Sequence, residues 1–176
     1  MNQQHLERID FLAPIIQRPA LELIAQCQSK LGRRLLVVRG WSSTDEQDLL
    51  YQKGRTLNRN TGIWEITEAD KVVTRAKPGT SAHNIVRVDG SPASLALDVI
   101  PFSDDGAPDW DAEPRFWDSL YEIAWKVGLD PLGDPIGSYL AGDMGHLEEP
   151  AWKLKIEALG LMFPFVSERG VQPKSA

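Results

Sequence analysis

The chain has 176 residues, 42% of them hydrophobic, with a formal net charge of −6 and a single cysteine. That length suits one globular domain over 1–176 and calls for no second. The acidic balance argues against nucleic acid as a partner, and one cysteine rules out an intramolecular disulfide. No apolar run is long enough to span a bilayer. The opening MNQQHLERIDFL lacks a basic region followed by an apolar stretch, so the expectation is a chain made in the cytoplasm without a signal peptide.

Pro19 to Leu31 reads as a helix, with Pro19 in its first turn, Leu21, Ile24 and Leu31 on one face and Gly32 as the stop; Cys27 within it reads as a core thiol. Leu35 to Arg39 is a short buried strand. Ser43 and Glu46 form a capping box for a helix through Lys53, ended by Gly54, with Leu49 and Leu50 turned to the core. Arg55 to Thr80 reads mostly as loop around one short ordered piece, Ile63 to Ile66. Arg87 to Pro92 is a hairpin tip with Asp89-Gly90 as its turn signal. Leu95 to Phe102 is a second strand, which puts Ala96 and Asp98 on one face.

Ser103 to Asp111 is a turn-rich acidic loop without the spacing of a calcium loop. Pro114 to Val127 is the clearest helix, with Phe116, Leu120, Ile123 and Val127 on one stripe and Gly128 as the stop; Trp117 and Trp125 read as packing residues. Pro150 to Leu159 reads as a last short helix, and Val171 to Ala176 as a frayed end. Helices alternating with short strands indicate an α+β fold, a small mostly antiparallel sheet with flanking helices.

Three histidines occur, and two lie in stretches that also carry carboxylates. His83 precedes Asp98, which sits within LALDVIPF, where a buried charge is costly unless it is paired or bound to a cation and no cation is near in sequence. Gly142 to Glu148 carries His146 with Asp143 and Glu148 beside it. A hydrolytic zinc site takes about three such ligands and leaves a fourth position for water. His83 and Asp98 offer two ligands, and the second cluster offers a third together with a base. On a strand Glu148 shares a face with His146, which makes it either a rival base or an orienting carboxylate; Asp143 reaches the same site only through an irregular turn, which Gly142 and Gly145 allow. Ser81 reads as a hydrogen-bonding residue near the site. His5, in the opening segment, belongs to no motif.

Ser81-Ala82-His83, Ser94 to Asp98 and Asp143-Met144-Gly145-His146 resemble, in order, the motifs of the zinc D-Ala-D-Ala carboxypeptidase / L-alanyl-D-glutamate endopeptidase family, which includes many phage endolysins. Val37 to Ser43, followed by Glu46-Gln47 and Leu50-Tyr51, is similar to that family's strand, Gly-Tyr-Arg-Ser turn and following helix. The resemblance covers roughly residues 15–150. It implies Zn²⁺ held by His83, Asp98 and His146, with Asp143 as the general base. It also implies hydrolysis of an amide bond in the peptidoglycan stem peptide by a monomeric enzyme that reaches the wall through a membrane pore if phage-encoded.

An L-alanyl-D-glutamate endopeptidase is the favoured reading, a D-alanyl-D-alanine carboxypeptidase the alternative. Two departures from the family stand out. The stretch between His83 and Asp98 is longer than usual, and Ser42 occupies the place of the turn arginine, which leaves Arg39, Arg55 and Arg75 as substitutes. Those departures motivate a third reading, a non-catalytic module that binds wall peptides.

Overall fold

The computed structural model describes residues 8–103, 105–131 and 144–164. Helix α1 (Pro14–Leu31) starts earlier than expected, because Pro14 takes the first turn, where its missing N–H is not needed, and Pro19 lies inside the helix. Its buried stripe is therefore Ile16, Ala20, Leu23 and Cys27, while Leu21 is exposed. Burial pushes the Cys27 thiol up to about 11, against the pull of Arg33, as befits an unreactive core group.

Strand β1 (Leu35–Arg39) is as read. Helix α2 (Thr44–Gln52) carries the expected capping box, with Ser43 Oγ accepting from Glu46 N and Glu46 Oε2 accepting from Ser43 N. Its inward residue is Gln47, whose amide donates to Thr74 Oγ1 and Ala76 O. Leu49 is exposed and Leu50 half-buried, contrary to expectation, because this helix lies on the polar 74–76 segment and not on the apolar core.

The stretch read as loop holds an antiparallel hairpin, β2 (Arg55–Asn58) with β3 (Ile63–Ile66). Asn58 Oδ1 shapes its turn by accepting from Asn60 N and Thr61 N. Neither strand buries a face, so no apolar alternation marks the hairpin in the sequence.

Strand β4 (Val86–Arg87) precedes β5 (Ala96–Pro101), and helix α3 (Pro114–Val127) has the expected ends. Phe116, Leu120 and Ile123 are buried with Trp117 and Tyr121, each such side chain contributing about 1.5–3 kcal/mol; Trp125, read as packing, is 49% exposed. Then come β6 (Asp130–Pro131), β7 (His146–Glu148), the single turn α4 (Trp152–Lys155) and β8 (Leu161–Met162). The predicted last helix thus shrinks to one turn; Gly160, at φ 63°, redirects the chain into a strand not foreseen.

The main sheet has the order β1-β5-β7-β6 and is antiparallel throughout, which makes the fold α+β as expected. Leu35, Val37, Leu97, Val99 and Leu147 share one core with the buried stripes of α1 and α3. Alternation along the strands then turns Asp98, His146 and Glu148 to the opposite face. A smaller core of Ala82, Ile85, Leu95, Ala96, Trp152, Ile156 and Leu161 lies beside the site. Among the described residues no helix is long and apolar enough to cross a membrane.

Candidate metal centre

Sheet register sets two of the site's residues side by side. Asp98 on β5 stands directly opposite His146 on β7, and His146 Nδ1 lies 2.9 Å from Asp98 Oδ1. Gly145 makes this register attainable: a Cβ there would stand 2.2 Å from Val99 O, so only glycine lets the strand approach this closely. Gly145 lies in a turn with Met144, as expected, and its close approach to Val99 is a second reason that excludes a side chain. Tyr121 Oη donates to Met144 O and ties the same segment to α3.

His83 comes from a single helical turn, Ala82–Asn84, which Ser81 Oγ caps by accepting from His83 N. The long stretch between His83 and Asp98 folds back as a hairpin whose base is zipped by Leu95 N to Ala82 O, Ala93 N to Ile85 O and Arg87 N to Ser91 O. Gly90 takes φ 82° in its tip and Val88 is 79% exposed. The extra length therefore projects away, and His83 Nε2 still comes within 3.1 Å of Asp98 Oδ1 and 3.2 Å of His146 Nδ1.

The outer ring nitrogens define the tautomers. His83 Nδ1 faces Gly40 O at 2.5 Å, an acceptor only, so it carries the proton and Nε2 presents a lone pair. His146 Nε2 faces Glu148 Oε2 at 3.3 Å, so its Nδ1 is likewise the lone-pair nitrogen. Burial pushes the His83 pKa down despite the attraction of Asp98, which keeps the ring neutral. Burial pushes Asp98 up, but with the ring protons of His83 and His146 turned toward it, and with Arg39 on its other oxygen, its carboxyl is held well below the usual range; the tautomers that Gly40 O and Glu148 select turn those protons away. Three lone pairs thus converge in a buried spot, an arrangement that repels itself unless a cation sits among them. Their separations of 2.9–3.2 Å approach the edge of about 3.4 Å that ligands 2.0–2.1 Å from a tetrahedral zinc would have, so the donor set fits that ion. Among the described residues these three form the one group of His, Cys, Asp or Glu side chains that could hold a metal.

Asp98 also has the cation its sequence neighbourhood lacks. Arg39 Nε donates to Asp98 Oδ2 at 2.7 Å, from the position directly across β1. Arg55 is engaged elsewhere, on Tyr51 O, Thr74 O and the Tyr51 ring, and Arg75 is exposed. Ser42 is buried, its N–H bonded to His83 O and its hydroxyl without a partner among the described residues. Asp143 and His5 lie outside the described residues.

The peptidoglycan L-alanyl-D-glutamate endopeptidase CwlK of Bacillus subtilis is 32% identical to this chain over 130 residues, which are 70% of this chain and 66% of that protein. Over that span the chain is similar to a member of the D-Ala-D-Ala carboxypeptidase / L-alanyl-D-glutamate endopeptidase family. It spans just under two thirds of that family member's length. No family model matches. The fold agrees with a solved structure of the vancomycin resistance D,D-pentapeptidase VanY, a mutant from a VanB-type cassette in complex with Zn(II). The TM-score is 0.52 and the identity 17%, and the match covers 84% of this chain and 78% of that one.

Proposed function

We propose that the chain is a zinc-dependent peptidase that hydrolyses the L-alanyl-D-glutamate amide bond of the peptidoglycan stem peptide. The observation that carries this reading is the convergence of His83 Nε2, Asp98 Oδ1 and His146 Nδ1 on one buried point, in a chain 32% identical to an endopeptidase of that specificity. Bound there, Zn²⁺ supplies a Lewis acid and lowers the pKa of a water toward about 7. The protein's own part is to hold the ligands ready. Gly40 O and Glu148 keep both imidazoles in the tautomer that offers a lone pair, and burial keeps His83 neutral. Asp143 is the base in this proposal: it takes the proton of the attacking water and returns it to the leaving amine as the C–N bond breaks. Access to the wall through a membrane pore, as for a phage lysis enzyme, belongs to the same proposal.

Digestion of purified peptidoglycan with the zinc-loaded protein, followed by mass spectrometry of the new termini, tests it. The expected products end in a free L-alanine carboxyl group and begin with a free D-glutamate amine. Release of terminal D-alanine instead would assign a carboxypeptidase. Walls left intact by a zinc-replete protein would favour the binding module, the reading that Ser42 in place of the turn arginine supports.

A further inference from the structure

The two oxygens of Asp98 serve different partners. Oδ1 faces both histidines, whereas Oδ2 accepts from Arg39 Nε at 2.7 Å. A carboxylate left to itself turns about its Cβ–Cγ bond and can bind a cation through one oxygen or both. We propose that Arg39 is a positioning residue that keeps Asp98 a one-oxygen ligand; this inference rests on the metal reading above.

The backbone is built to bring this contact about. Along β1, Leu36 pairs with Ile100 and Val37 with Val99, but the next pair is Arg39 with Asp98, so Val38 is an extra residue at a bulge. Without it, alternation would set Val38 opposite Asp98 and turn Arg39 toward α1 and α3. The bulge thus moves a guanidinium onto the ligand face of the sheet, beside a carboxylate whose side chain is 15% exposed. Arg39 itself is 26% exposed. Its planar fork fixes the direction of the carboxylate, which a lysine, as a point charge on a flexible stem, does not. With Oδ2 occupied, the three ligands present one atom each, and a tetrahedral ion keeps its fourth position for water.

Cobalt(II) substitution reads this directly, because four-coordinate Co²⁺ absorbs visible light much more strongly than five- or six-coordinate Co²⁺. Wild-type protein, Arg39→Met and Arg39→Lys are to be loaded with Co²⁺, with circular dichroism to confirm folding and chelator competition to give affinity. The wild type is expected to show the intense four-coordinate bands. Arg39→Met is expected to show weaker bands, as the second oxygen of Asp98 joins the metal, and an affinity lower by roughly 10- to 100-fold. Arg39→Lys is expected to fall between. Wild-type band intensity in folded Arg39→Met overturns the inference, and if that variant does not fold, wild-type intensity in Arg39→Lys does so. Wild-type protein that takes up no Co²⁺ overturns the metal reading itself, a separate result.

Discussion

Two of the proposed ligands and the third are held by different means. Asp98 and His146 are cross-strand partners in the middle of an antiparallel sheet, where a register slip of one residue would turn every side chain to the other face. His83 rides on a loop, held by the hairpin base behind it, by the smaller core around Ala82 and Ile85, and by Gly40 O on its ring. In the strand half, the ligands meet only in this one register. The loop half absorbs an insertion, because added residues beyond a zipped base extend into solvent and leave the base alone.

Asp98→Ala should produce the largest effect, striking the sheet half at its centre: no zinc retained after dialysis and no measurable cleavage. A variant that still binds one zinc per chain, by metal analysis, would remove Asp98 from the ligand set. Next come Asp143, the proposed base, and Glu148. Asp143→Ala should keep its zinc and lose on the order of 10²–10⁴ in rate, the usual worth of a general base. Glu148→Gln, acting only through the orientation of His146, should lose roughly 10- to 100-fold in metal affinity or activity. The reverse ranking would exchange their roles.

Acidification tests both halves together. Each histidine must be neutral to offer its lone pair, so zinc occupancy should be full at neutral pH and fall as pH drops. Because burial lowers the His83 pKa, that ring should protonate below 6.5, the ordinary histidine value. Zinc content that stays constant down to pH 4 would contradict histidine ligation. The smallest effects make the sharpest contrast between the halves. Gly145→Ala, with its Cβ 2.2 Å from Val99 O, should cost about 1–3 kcal/mol of stability. Val88→Ser at the exposed hairpin tip should change stability by less than about 0.5 kcal/mol and leave cleavage unaltered. Thermal unfolding that ranks these two the other way would show that the loop, not the sheet, is the rigid half.

What could be read in the sequence divides along similar lines. Helix α3 was legible to the residue because one of its faces is buried and the other is not, which writes a clear period into the chain. Of the β2–β3 hairpin only Ile63–Ile66 was legible as an ordered piece; β2 and the pairing were not, because both faces of the hairpin meet solvent. His83, Asp98 and His146 stood out as histidines and a carboxylate in apolar or glycine-rich settings, and the i, i+2 relation of His146 to Glu148 anticipated their contact on β7. The partnership of Arg39 with Asp98 was hidden, since it depends on Val38 being skipped in the pairing, and a bulge leaves no mark in composition.

The row formed by Arg39, Asp98 and His146 also governs when in its own synthesis the protein can become a metal binder. Arg39 and Asp98 lie 59 residues apart in the chain, and Asp98 and His146 lie 48 apart, so no contiguous fragment of ordinary peptide length contains the row. Strands β5 and β7 must be paired, and the His83 turn set against them, before the ligand atoms meet, and contacts between residues so distant in sequence form late, after the closure entropy of the intervening loops has been overcome. A nascent chain that has not yet passed His146 is accordingly without the site, however well its first helices have formed.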